Sequence, residues 1–144
     1  MKTKQLSVFL ENKTGRINQV ARILGENGIN MHAFSVAESA DFGIIRMIVS
    51  DVERASSIMK EAHFAVRITD VVCIQCSNSA GSLSKILDVL AKANVFIEYM
   101  YAFVGKKDNK AVVVIKTLEL EKAEQLLISH NVTTIHAENL YRKF

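Results

Sequence analysis

Two short stretches carry the residues best suited to hold a small polar molecule, "NKTGRI" at 12–17 and "NSAGSL" at 78–83. Each places an Asn three residues before a Gly and an aliphatic residue two after it. These are Asn12, Gly15 and Ile17 in one stretch, and Asn78, Gly81 and Leu83 in the other. An asparagine side chain offers both a donor and an acceptor. Glycine lets the backbone turn and lets a ligand come close. A helix starting just behind the glycine would present unpaired N–H groups and a positive dipole end, which suits a carboxylate. Such a loop can hold the carboxylate and ammonium groups of a free amino acid. The competing reading is local: the glycines only shape a turn and the asparagines only cap a helix.

Other reactive residue types do not form usable patterns. Cys73 and Cys76 make a C-x-x-C, but no second pair or H-x3-H follows to complete four zinc ligands. They lie in "DVVCIQCSN", which reads as a strand, where residues three apart point to opposite faces. They are expected to be two small buried residues. His32, His63, His130 and His136 are scattered without metal-ligand spacing, so no metal site and no cofactor is expected. No Ser-His-Asp, Cys-His or paired-carboxylate set can be argued, which favours a protein that is not an enzyme.

The elements that must position the two loops come from a repeat. Sliding the chain by 66 residues lays Leu6, Val8 and Leu10 on Val72, Ile74 and Cys76, alternate positions of a half-buried strand. The same shift lays Ile17, Val20, Ala21 and Leu24 on Leu83, Ile86, Leu87 and Leu90, one stripe of a helix. Gly28 and Asn94 then suit left-handed helix ends. Ile29 and Met31 fall on Val95 and Ile97, opening a second strand, and "IRMIV" at 45–49 falls on "AVVVI" at 111–115. The turn-like segments "ESADFG" and "GKKDN" join a hairpin in each copy. With two residues gained in the second copy, Ala55, Ile58 and Met59 match Ala123, Leu126 and Leu127 on a second helix. A last strand is expected around "FAVRI" and around "VTTIHAENL". Each copy therefore reads β-α-β-β-α-β, a ferredoxin-like α+β unit with an antiparallel sheet and helices on one face. The expected domains are 1–70 and 71–144, joined without a Pro- or Gly-rich tether.

Composition fits this. The 144 residues are 49% apolar and 23% charged, an ordinary globular balance. The net charge of +3 is spread evenly between the halves, so neither nucleic acid nor a membrane surface is called for. No apolar run would cross a bilayer, and the N-terminal "MKTKQLSVFLENK" alternates too much for a signal peptide. A cytoplasmic protein is expected. Tyr99, Tyr101 and Phe103 share one face of "EYMYAFV", opposite Glu98, Met100 and Ala102. Aromatics on such a sheet can stack bases, but the central strands interleave only Arg46, so packing is the better reading.

The stretches "VFLENKTGRINQVARILGENGINMHAFSVAE" and "VCIQCSNSAGSLSKILDVLAKANVFIEYMYAFV" resemble ACT domains, and the likeness covers the whole chain. It looks like the free-standing bacterial proteins made of two such domains. The resemblance implies a regulatory protein that binds a free amino acid at the interface between ACT-like domains and signals through altered packing of domains or subunits to a regulated protein; the open sheet edges suggest further self-association as a homodimer. In ligand-binding members, the loop before the first helix meets the start of the second strand of a neighbouring domain. Carried over, the ligand-holding positions are Asn12, Thr14, Gly15, Arg16 and Ile17 in one loop and Asn78, Ser79, Ala80, Gly81, Ser82 and Leu83 in the other, with Asn30 at the second-strand position. The family's usual proline before the glycine is Thr14 or Ala80 here. The counterpart of Asn30 is Phe96, whose ring cannot hydrogen-bond an amino acid's charged groups. Crosswise pairing would make unequal sites, with the Asn78 to Leu83 loop plus Asn30 the more polar. One alternative is an acylphosphatase-type enzyme of the same fold, with Arg16 and Asn12 on a phosphoryl group, though Ser82 replaces the Arg in the second copy. The other is a purely structural protein-interaction module.

Overall fold

The structure is a computed structural model that describes residues 2–38, 41–104, 110–136 and 139–140. The chain forms two compact units: Lys4–Thr69, and Asp70–Phe144 together with Met1–Thr3. The first residues go with the latter because Lys2 Nζ meets Glu121 at 3.3 Å and Thr3 Oγ1 meets the Ile135 carbonyl at 3.4 Å.

In the Lys4–Thr69 unit, the elements are β1 (Thr3–Glu11), α1 (Arg16–Glu26), β2 (Met31–Glu38), β3 (Phe42–Val49), α2 (Val52–Glu61) and the start of β4 (Ala65–Ser77). The strand order is β2-β3-β1-β4. The register sets Leu6 against Met47, Val8 against Ile45 and Leu10 against Gly43. Alternation then sends Leu6, Val8, Leu10, Ile45, Met47 and Val49 to one face. There they pack with Val20 and Leu24 of α1 and Ala55 and Met59 of α2. Both helices therefore lie on that face. Each fully buried Leu, Val or Met stabilises the unit by about 1.5–3 kcal/mol relative to exposure. Phe9 and Phe42 meet on the other face, ring centroids 6.2 Å apart.

The Asp70–Phe144 unit repeats the plan with the rest of β4, then α3 (Ser82–Lys92), β5 (Tyr99–Val104), β6 (Lys110–Lys116), α4 (Leu120–Ser129) and β7 (Thr134–Ile135). Its order is β5-β6-β4, with β7 on the other side of β4. Val72, Ile74 and Cys76 pack with Leu90 of α3 and Ala123 and Leu127 of α4. Cys73, between them, is buried away from that cluster. The two cysteines thus diverge as the strand reading requires, and both are free thiols. Burial pushes the Cys73 thiol up to about 12. Tyr99 and Tyr101 pair with Lys116 and Val114, and Met100 with Ile115, so the expected division of faces holds.

Two sequence expectations change, and one competing reading fails. The second strand of the second copy opens at Tyr99, not at Val95; Val95 is instead spent on ending α3, and only the Glu98 N–H reaches back to the Lys116 carbonyl at 2.9 Å. Strand β7 is two residues long among the described residues. Asn12 and Asn78 do not cap the helices, because Gly15 and Gly81 occupy the cap positions and no side chain bonds there. The expected turn residues 39–40 and 105–109, and residues 137–138 of the expected last strand, lie outside the described residues.

The helices α1 to α4 end the same way. Gly28, His63, Asn94 and Asn131 take positive φ of 71°, 68°, 58° and 61°. The next residue's N–H then reaches back into the helix: Ile29 to Leu24, Phe64 to Met59, Val95 to Leu90 and Val132 to Leu127, at 2.9–3.0 Å. This is the Schellman closure with its apolar contact. The sequence reading found only Gly28 and Asn94. A left-handed conformation costs a non-glycine residue about 1–2 kcal/mol. We expect Gly28→Ala to lower the melting temperature and His63→Gly to raise it, each by about 1 kcal/mol of stability, in calorimetry. Equal signs for the two would refute this account of the helix ends.

Candidate functional site

The chain leaves β1 at Glu11 and enters α1 at Arg16 through only four residues. Gly15 makes the turn with φ 89° and ψ −3°. Gly81 does the same before α3 with φ 84° and ψ −9°. Nothing lies within 4 Å of a Cβ built on either glycine. Glycine is therefore required by backbone conformation there, not by lack of room. The turns are closed by Arg16 N–H to the Lys13 carbonyl, 3.4 Å, and by Ser82 N–H to the Ser79 carbonyl, 3.2 Å. With no side-chain cap, each helix start keeps the donors and positive end that an anion seeks.

Around the first turn lies a shallow concavity of about 430 Å³, within the size range of small-molecule sites of about 300–1,000 Å³. Asn12, Lys13, Thr14, Arg16 and Ile17 form its loop side; Leu10, Val36 and Gly43 form its sheet side, and Glu11 and Glu38 stand at its rim. Its exposed apolar wall is real: Ile17 is 50% and Val36 45% exposed. The Asn12 Oδ1 lies 3.7 Å from where a Cβ on Gly43 would stand, so a side chain there would be in van der Waals contact with the loop.

The charges of this loop are organised. Glu11 Oε2 lies 3.0 Å from Lys13 Nζ and 3.5 Å from Arg16 Nη2. Arg16 Nη1 also donates to Gln19 Oε1 at 3.0 Å. The Lys13 ammonium, by hydrogen bond and then by charge, and Arg16 behind it hold the Glu11 carboxyl below the ordinary glutamate range. The Arg16–Glu11 pair is long and exposed, so the guanidinium stays able to meet an anion, whereas Ser82 stands in its place in the second copy.

The second loop has a different chemistry. Ser77, Ser79 and Ser82 form a hydroxyl chain with Oγ–Oγ distances of 3.1 and 2.7 Å. No formal charge lies between Asn78 and Leu83. Of the sequence-predicted positions in this loop, Ser82 lines a concavity, together with Cys76, Ser77, Lys85 and His130. Leu83 packs against the core, unlike its exposed counterpart Ile17.

Within its own unit, Asn30 sits apart from the first loop. It precedes β2, and its backbone pairs with Ser50: the Ser50 N–H donates to the Asn30 carbonyl at 3.0 Å, and the Asn30 N–H donates to Ser50 Oγ at 3.1 Å. β2 runs from that end to Glu38 at the concavity, about 26 Å of strand. Phe96, its counterpart, is 75% exposed. The structure thus gathers Asn12, Thr14, Arg16 and Ile17, but not Asn30. Sequence reasoning missed Glu11, Lys13, Val36, Glu38 and Gly43. A lone glycine in a strand was a usable sign of close approach; Val36 and Glu38 needed the register, which places Val36 beside Ile45 and Glu38 beside Gly43.

Among the described residues no group of three or more His, Cys, Asp or Glu is arranged to hold a metal ion. Nor is any described helix long and apolar enough to cross a membrane. Burial lowers the His32 pKa, but His32 lines neither loop concavity.

The family model of the ACT domain pair matches residues 1–144, and the chain belongs to that family. Protein BT0572 from Bacteroides thetaiotaomicron, known from its crystal structure, is 48% identical; the match covers 98% of this chain and 96% of that one with a TM-score of 0.91. The ligand-free regulatory subunit of aspartate kinase from Thermus thermophilus shares the fold at 15% identity, with a TM-score of 0.64 over 90% of this chain and 93% of that one. The acetolactate synthase small subunit of Buchnera aphidicola subsp. Baizongia pistaciae is 24% identical over 119 residues, 69% of this chain and 71% of that protein.

The ion pairs of the first loop give a direct check. The Glu11 carboxyl should titrate by NMR below an ordinary glutamate, and Lys13→Ala should move it back up. A lowered folded pKa adds stability above the unfolded pKa that is lost as pH falls through the folded one. Because Glu11 is fully exposed, only the titration is expected to show it clearly. An unchanged midpoint in Lys13→Ala would refute the assignment.

Proposed function

We propose that this ACT domain pair is a non-catalytic, cytoplasmic regulatory protein that binds a free amino acid at its strand-to-helix loops. The observation that carries this is the first-loop concavity. Within one small space it offers an uncapped helix start, cations at Lys13 and Arg16, carboxylates at Glu11 and Glu38, and an aliphatic wall of Leu10, Ile17 and Val36. An amino acid has the matching parts. Its carboxylate suits Arg16 and the helix start, its ammonium suits Glu38 or Glu11, and an aliphatic side chain suits the wall. The relatives named as the regulatory subunit of aspartate kinase and the small subunit of acetolactate synthase support a regulatory role.

An open concavity needs a second wall to exclude water from its ligand. A homodimer would supply one, and a ligand favouring one packing of that assembly shifts its population and so signals to a regulated protein. The ionic first loop and the hydroxyl-lined second loop make the sites unequal. Asn30 can take part only where another unit brings it to a loop, which is the role the family resemblance gives it.

A thermal-shift screen of the twenty amino acids tests the core of this. At a hundredfold excess over Kd, a true ligand stabilises by about 2.7 kcal/mol, and an aliphatic amino acid is expected to be the one. In calorimetry, Arg16→Ala should weaken binding about tenfold or more, as expected for a lost charge-assisted bond of about 1.5–3 kcal/mol. Asn30→Ala should weaken one class of site and spare the other. If no amino acid shifts the melting temperature, the chain is a purely structural interaction module instead.

A further inference from the structure

The duplicated plan allows each helix pair to be compared with its counterpart, and they differ in charge. Between α3 and α4 runs a groove of about 430 Å³ with Val89, Ala93 and Leu126 on its floor and Lys85, Lys92 and His130 on its rim. Lys122 stands beside the groove, its Nζ donating to the Ala93 carbonyl at 3.0 Å and lying 3.7 Å from the exposed Glu119 carboxylate. Asp88 is the lone acidic residue of the lining. Neither Lys85 nor Lys92 makes an ion pair among the described residues. The matching positions on α1 are Gln19 and Glu26, and His130 is matched by Ala62. Folding does not demand the lysines, since the first unit makes the same helix pair without them.

The groove also leads to the second loop. Lys85, Val89 and His130 line a second concavity that reaches Ser77 and Ser82. An occupant of the groove would therefore meet Lys85, Val89 and His130, the residues the two concavities share.

We propose that the α3–α4 groove docks an acidic amphipathic segment of a protein partner, its carboxylates on Lys85, Lys92 and Lys122 and its aliphatic side chains over Val89, Ala93 and Leu126. A helix laid in a groove presents anchors three or four residues apart, which suits this combination of apolar floor and basic rim. Nucleic acid fits less well, because no aromatic side chain lines the groove to stack a base and Asp88 would face the phosphates. Docking needs no amino acid, so it stands or falls separately from ligand binding.

The test is a selection of random twelve-residue peptides on the full chain, without added amino acid. The enriched peptides should carry acidic residues with aliphatic residues at helical spacing. Their affinity should fall at least tenfold in Lys85→Glu/Lys92→Glu and weaken with salt, while Arg22→Glu/Arg54→Glu, the same charge change in the first unit, should leave it intact. Circular dichroism should show both variants folded. Neutral or basic peptides, no enrichment, or equal binding to both variants would overturn the proposal. So would preferential binding of a single-stranded oligonucleotide, or a changed oligomeric state in Lys85→Glu/Lys92→Glu, which would give the groove to a second copy of the chain.

Discussion

The four-residue passage from β1 to α1 constrains everything near the site. The chain must leave a strand and immediately lay a helix over the same sheet face, because Val20 and Leu24 have to reach Leu6, Val8 and Leu10. That passage needs a left-handed residue, and Gly15 provides it. Once the glycine occupies the cap position, no side chain there can satisfy the helix's first donors. The fold thus makes an anion-seeking point as a by-product of its own geometry. The second unit meets the same demand with Gly81. What each loop then does depends on the residues set around that point.

Those surroundings have diverged more than the frame. Gly15 and Gly81 agree in φ to within a few degrees. Their neighbours do not agree in chemistry. Glu11, Lys13 and Arg16 form a linked ionic set, while Ser77, Ser79 and Ser82 share hydroxyl contacts. The same split appears on the helices, where Gln19 and Glu26 stand opposite Lys85 and Lys92. Buried positions such as Leu24 and Leu90, or Met59 and Leu127, keep their character because packing leaves them little freedom. Exposed positions are free to take separate roles.

This difference also explains what could be read from the chain before its structure. Core positions repeat with period two or three and a half, so the strand and helix faces were legible, as was the duplication itself. The glycines were legible because few residues accept their φ. His63 was not, because a histidine carries a weaker left-handed signal and only the apolar Phe64 behind it betrays the turn; Asn131, the same residue type as Asn94 and followed by the apolar Val132, was legible in principle. The site was half legible. Loop residues are neighbours in sequence, but Val36, Glu38 and Gly43 join them through strand register, and register is a long-range property. Asn30 misled for the converse reason: a family position carries no distance within this unit.

The cysteines of β4 have a consequence for kinetics. Residues three apart on an extended strand lie about 10 Å apart, beyond the reach of a disulfide. Cys73 and Cys76 are also buried, on opposite sides of the same strand. An oxidant cannot lock the pair, and a thiol reagent meets Cys73, 1% exposed, only after β4 has left its sheet. Under fast-capturing conditions, that sulfur becomes a stopwatch for the event, timing how often the middle of the second unit comes apart while the rest of the protein population stays whole.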